Sequence, residues 1–150
     1  MTKDEFITVA TAAARAFAEN GGSPAGVTVA QAALESNWGN SRLSRDAHNY
    51  FGIKVHGSLP QIELPTHEAV NGALVQTVAR FAKYDSMEAC FADRERILTH
   101  VAAYAEARAC ATDPEAFIRA LARHWATDPH YAEKLLYLYR EHGFDQLDQH

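Results

Sequence analysis

The chain has 150 residues, of which 47% are hydrophobic, 22% charged and 10% aromatic, with 8 Gly and 5 Pro. That size and balance suit one globular domain with one core, and exclude a two-domain enzyme, a disordered chain or a low-complexity repeat. Fourteen Lys and Arg against 19 Asp and Glu leave a formal charge of −5, the wrong sign for gripping phosphate backbones or anionic lipid.

Acids rather than basic residues follow Met1, and the Ala-rich stretch after them is broken by Arg15, so no secretory signal is visible. No apolar run approaches the roughly 18 residues needed to cross a bilayer. The expectation is a protein made in the cytoplasm in soluble form, with no membrane insertion. Thr2 and Glu5 form a capping box, and Phe6, Val9, Ala10, Ala13 and Phe17 follow at helical spacing until Asn20-Gly21-Gly22. Ser23-Pro24 reads as an N-cap and first helical position for a second helix that ends near Trp38-Gly39 and carries Glu35 close to its end. Ser41 to Ala47 adds one or two turns, and the segment from His48 to Lys54 reads as a loop entering extended structure.

From Gln61 to Ala82 the pattern changes to a β-hairpin, with Asn71-Gly72 as its two-residue turn. This turn places Val70 opposite Ala73, Ala69 opposite Leu74 and Glu68 opposite Val75, while Pro65 marks an edge or bent strand. Helical spacing resumes at Ser86, with Met87, Phe91, Ile97, Leu98 and Val101 in one stripe running toward Tyr104. Asp113-Pro114 and Asp128-Pro129 each read as a helix start, so two short helices close the chain. Phe117, Leu121 and Trp125 line one, and Tyr131, Leu135 and Leu138 line the other. Gly143 is a stop, followed by residues expected to fray.

Familiar catalytic motifs are missing: there is no H-E-x-x-H, nucleophile elbow, P-loop or dinucleotide fingerprint. No metal site or cofactor is expected. Cys90 and Cys110 could form at most one bridge. Both read as buried apolar residues with no adjacent cation to activate a thiol. Two acids in different settings remain. Glu35, within Ala32-Ala33-Leu34-Glu35-Ser36-Asn37-Trp38, has small and aromatic neighbours able to desolvate a carboxyl and keep it protonated; the plainer reading is an exposed helix glutamate. Glu68, beside Thr66 and His67 on a strand, would stay ionised, or serve only as an edge charge against aggregation. One neutral and one charged carboxyl held apart are the minimum apparatus of glycoside hydrolysis.

The block Ala30-Gln31-Ala32-Ala33-Leu34-Glu35-Ser36-Asn37-Trp38-Gly39, then Ser41, Leu43 and Asn49-Tyr50-Phe51-Gly52-Ile53-Lys54, resembles the family-73 glycoside hydrolases. These are bacterial peptidoglycan N-acetylglucosaminidases that include flagellar and autolysin domains. The resemblance continues through Thr66-His67-Glu68, Asn71-Gly72, Phe81 to Ser86 and Trp125 to Ala132, covering nearly the whole chain in order. It implies an α+β, predominantly helical lysozyme-like fold with one β-hairpin lobe at about residues 61–82. It further implies that Glu35 is the general acid on the β-1,4 bond after N-acetylglucosamine and that Glu68 is the second carboxylate on a mobile lobe. Trp38, Tyr50, Phe51, Trp125 and Tyr131 become candidates for contact with sugar rings, with core packing the alternative for at least two. Two positions depart from the family pattern: Trp125 stands where tyrosine is usual, and Ala69-Val70 follow Glu68 where tyrosine and a polar residue are common.

The competing readings are a non-catalytic module of an envelope-crossing machine, against which the retention of both acids argues, and a helical nucleic-acid binder, against which the charge argues. The substrate, peptidoglycan glycan strands, lies outside the cytoplasm, so a chain without export signal or wall-binding module points to delivery by another device. An injected effector of the type VI secretion kind, with a cognate immunity protein over the cleft, is the reading preferred to a phage lysin.

Overall fold

A computed structural model describes residues 1–149 and, within them, every side chain except that of Glu68; His150 lies outside the described residues. Helix α1 (Lys3–Ala18) starts as expected, with the Thr2 hydroxyl accepting from the Glu5 N–H at 3.1 Å. It lies along α2 (Ala25–Ser36), whose residues 25–33 are all buried. Their small side chains explain how a helix can sit in the middle of a domain: Ala and Gly let neighbouring backbones approach closely. At Gly26 the requirement is absolute, because a Cβ there would lie 2.1 Å from the Phe144 carbonyl oxygen.

The start of α2 differs from the sequence expectation. Pro24 is the N-cap rather than the first helical residue, and no local side chain caps the helix. The cap comes from 122 positions away: Asp148 accepts from the Gly26 N–H at 2.8 Å, placing a carboxylate at the positive end of the helix dipole. Asp148 also accepts from the Tyr139 hydroxyl at 2.7 Å. Thus the C-terminal segment expected to fray is a 3-10 helix, Phe144–Asp148, with Phe144 buried against Trp38. Helix α2 ends through Asn37, Trp38 and Gly39, all with positive φ.

Short α3 (Arg42–Ala47) is capped by Ser41. Asn49 then joins two regions of the chain. Its buried Nδ2 donates to the Ile53 and Ala82 carbonyls, both at 2.9 Å, while its Oδ1 accepts from the Ile53 N–H at 3.1 Å. Strands β1 (Gln61–Val70) and β2 (Ala73–Ala82) pair antiparallel in the register set by Asn71-Gly72: Val70 faces Ala73, Ala69 faces Leu74 and Glu68 faces Val75. Asn71 and Gly72 have φ of 51° and 80°, the left-handed pair a tight hairpin needs. A short third strand is added where Lys54 bridges Phe81 and the Val55 N–H donates to the Arg80 carbonyl at 3.1 Å. Only the base of the hairpin is buried, at Leu64, Ala79 and Ala82.

Helix α4 (Met87–His100) presents Cys90, Phe91, Arg94 and Leu98 to the interior, while Val101, expected in the stripe, is exposed just past its end. A 3-10 turn (Ala102–Tyr104) and α5 (Ala105–Ala109), both unanticipated, lead to α6 (Pro114–Trp125), where Asp113 caps as expected. Helix α7 (Tyr131–Glu141) begins two residues later than Asp128-Pro129 suggested. Asp128 instead accepts from the His130 N–H at 2.9 Å and from the Lys134 ammonium at 2.6 Å, so its carboxylate stabilises the turn before the helix. Cys90 is buried and Cys110, contrary to expectation, only half-buried; both are free thiols. No described helix is long and apolar enough to cross a membrane. The architecture is the α+β, mostly helical one expected, with a single hairpin lobe.

Candidate active site

Glu35 occupies the last turn of α2, where the negative end of the helix dipole disfavours an ionised carboxyl. Its side chain is exposed by surface area, yet its carboxyl is ringed by protein on enough sides that burial pushes its pKa upward. The side chain is thus partly open to solvent while its carboxyl is desolvated by the protein around it. Gly52, φ 70°, brings bare backbone toward the acid, since a Cβ there would sit 3.9 Å from Glu35 Oε2. Behind it, α7 contributes the Tyr131 hydroxyl, whose hydrogen bond to the carboxyl works in the opposite direction and favours the ionised form.

Tyr131 is itself buried and is held by Gln31, one turn before Glu35 on α2, whose Nε2 donates to the phenol at 3.1 Å. Arg94 on α4 completes the layer. It is fully buried, its Nε donates to Gln31 Oε1 at 2.7 Å, its Nη1 donates to Thr28 Oγ1 at 3.0 Å, and its cation lies 5.0 Å over the Phe51 ring. Burial holds the guanidinium below its ordinary pKa and pushes the Tyr131 phenol up. Cys90 is also nearby, its thiol pushed up to about 12 by burial, which leaves it without nucleophilic character. Arg94 does lie one turn on from Cys90, contrary to the expectation of no nearby cation, but desolvation outweighs it.

The five aromatic candidates divide. Trp38 packs edge-on to Phe6 and against His142 and Phe144, and Tyr50 packs on Phe6 and Phe91; both are core rings. Phe51 is 1% exposed and supports Arg94 from below. Tyr131 contacts the acid through its hydroxyl. Trp125 is half-buried at the end of α6, its ring 6.4 Å from Phe51 and 6.0 Å from Tyr104. Glu68 is placed by its backbone on β1, two positions before the turn, and its side chain lies outside the described residues. Gln31 and Arg94 were not singled out from sequence. Their signals existed: an amide four residues before Glu35, and an arginine between Phe91 and Leu98 in an otherwise apolar stripe. Among the described residues no group of three or more His, Cys, Asp or Glu could hold a metal.

The family profile described as glucosaminidase, mannosyl-glycoprotein endo-beta-N-acetylglucosaminidase, matches residues 11–144. This chain belongs to the glucosaminidase family. The domain is 34% identical over 137 residues to the peptidoglycan hydrolase FlgJ of Salmonella typhimurium, covering 87% of this chain and 43% of that protein. It is also 34% identical over 152 residues to a probable N-acetylmuramidase of Lactococcus lactis, covering 97% of this chain and 35% of the other. The glucosaminidase domain therefore spans less than half the length of these relatives. Its fold matches the catalytic domain of the Listeria monocytogenes autolysin Auto at a TM-score of 0.85 and 30% identity, covering 97% of this chain and 86% of that one. A Pseudomonas protegens type VI secretion effector–immunity complex shares the fold alone, at 0.66 and 23%.

Proposed function

We propose that the glucosaminidase domain hydrolyses peptidoglycan glycan strands at the β-1,4 bond after N-acetylglucosamine, with Glu35 as general acid and Glu68 as second carboxylate. The observation that carries this reading is the setting of Glu35: a solvent-reaching carboxyl at the end of the buried helix α2, desolvated by the surrounding protein and backed by the buried Tyr131 phenol. Burial shifts the carboxyl toward its protonated form, the form that can protonate a departing sugar oxygen. The charge that builds on the sugar ring is oxocarbenium-like. Either water activated by Glu68 or the substrate's acetamido oxygen can meet it, and both routes need the same proton from Glu35. Half-buried Trp125 is the ring proposed to pack against a sugar.

Glu35→Gln is expected to lower the clearing of purified peptidoglycan by about 10²- to 10⁴-fold without loss of folded structure. Full activity in that variant would remove Glu35 from the role of general acid. Muropeptide mass analysis then fixes the bond: new reducing ends on N-acetylglucosamine support this proposal, and ends on N-acetylmuramic acid support the activity in the Lactococcus relative's name. In its finer form the proposal is an antibacterial effector silenced by an immunity protein over the cleft; the Pseudomonas protegens likeness supplies the fold and nothing more to it. Toxicity when the domain is directed to the periplasm, relieved by a cognate partner, is the expected outcome.

A further inference from the structure

Behind Glu35 the polar atoms form a chain whose direction is dictated by chemistry. A guanidinium has only donors. With Arg94 Nε 2.7 Å from the Gln31 side-chain amide, that amide must turn its oxygen to Arg94. Its nitrogen is then aimed the other way, onto the Tyr131 hydroxyl at 3.1 Å. A hydroxyl that accepts from Gln31 keeps its own proton to donate, and among the described residues the acceptor beside it is the Glu35 carboxyl. We infer that Arg94 is a positioning residue for the reaction: acting through Gln31, it fixes Tyr131 as hydrogen-bond donor to Glu35. The inference rests on Glu35 as the general acid.

The direction matters because the two possible arrangements have opposite effects. Were Tyr131 to accept from protonated Glu35, it would hold back the proton the reaction needs. As a donor, it binds the neutral carboxyl weakly and the carboxylate strongly, through a charge-assisted bond that grows as the proton leaves. This is stabilisation gained in the transition state over the ground state. Tyr131 from α7 is the titratable group bonded to Glu35, and the Arg94 charge from α4 faces Tyr131 across Gln31. Arg94 is a costly residue to keep there. It is wholly buried, and its Nη2 finds no hydrogen-bond partner among the described residues. Its desolvation is offset by Gln31, Thr28 and Glu95, the last 3.5 Å from Nη1.

Gln31→Glu isolates the direction. It keeps Arg94 paired, now to a carboxylate, but offers Tyr131 only acceptors, so the phenol proton turns away from Glu35. Carbon-13 titration of Glu35 in the intact chain should show its midpoint raised by about one unit, with clearing of peptidoglycan down about tenfold or more. Through-space charge could raise the midpoint too, so the same substitution is made in a Tyr131→Phe background, where the rise should be clearly smaller. Equal rises in the two backgrounds, or no rise, overturn the proposal. Arg94→Met, freeing the amide to rotate, should raise the Glu35 midpoint and slow hydrolysis in protein that is still folded at the assay temperature. An unchanged midpoint and rate in a folded Arg94→Met protein would remove Arg94 from the assignment. Full activity of Glu35→Gln would instead overturn the catalytic reading and leave the titration results standing.

Discussion

The two acids sit in opposite kinds of structure. Glu35 is anchored in a layer where α2, α4 and α7 meet, and the groups behind it, Gln31, Tyr131, Arg94 and Phe51, are all buried. Glu68 sits on a hairpin that leaves the body: beyond its base, Val70, Leu74, Val75 and Val78 are exposed, Leu74 by 74%. Beside the apolar base at Leu64, Ala79 and Ala82, polar side chains join the two regions. Asn49 bonds the strand that precedes the hairpin to the end of β2, and buried Asp93 on α4 accepts from Tyr84 and pairs with His56 at 2.7 Å. The contrast teaches where rigidity is concentrated. If Glu35 and Glu68 act as proposed, a proton donor gains from a fixed, buried setting and a lobe that closes over a polymer from a lightly packed one.

The sharpest way to break that contrast is on the rigid side. Phe51→Ala removes a fully buried ring that touches Phe91, Trp125 and the Arg94 cation, and should destabilise the fold by about 3–5 kcal/mol in chemical denaturation. A loss under about 1 kcal/mol would mean the layer behind Glu35 is not rigid. On the exposed side, Glu68→Gln should leave the melting temperature unchanged while slowing peptidoglycan clearing by about 10²-fold; unchanged activity would confine catalysis to the helical region.

A smaller effect separates the two acids by pH. Because the Glu35 pKa is raised in the folded protein, the native state keeps a proton there that the unfolded chain, near its ordinary 4.5, gives up. Its contribution to stability is fully present below 4.5 and is lost as the pH rises through the folded value. Glu35→Gln has no such loss, so its melting temperature should gain on the parent as pH increases above 4.5; a constant gap would show that the folded carboxyl is not perturbed. Smallest of all, Leu74→Thr at the exposed hairpin tip should change stability by no more than about 0.5 kcal/mol.

Much of this was legible locally. The Asn71-Gly72 turn predicted the register of the hairpin, and Thr2, Ser41 and Asp113 announced three helix starts, because in each case neighbours in sequence make the deciding bonds. The misses have one physical origin. Helix α2 begins where Asp148 caps it, and the segment expected to fray is ordered because that carboxylate and Phe144 have partners distant in sequence. The aromatic candidates left ligand contact and core packing open, because aromaticity does not say which way a ring faces, and Trp38, Tyr50 and Phe51 turn inward.

The order of residues alone determined a mostly helical domain with one hairpin, and put a glutamate at the end of a buried, small-residue helix and another near a turn. Those features follow from periodicity, turn chemistry and short-range hydrogen bonding. Only the tertiary structure decided what the first glutamate's environment is. The desolvation that raises its pKa, the phenol that answers it and the arginine that orients that phenol's partner come from α2, α4 and α7, brought together across 100 positions between Gln31 and Tyr131. Electrostatics depends on distances in space, and local sequence patterns specify only those along the chain.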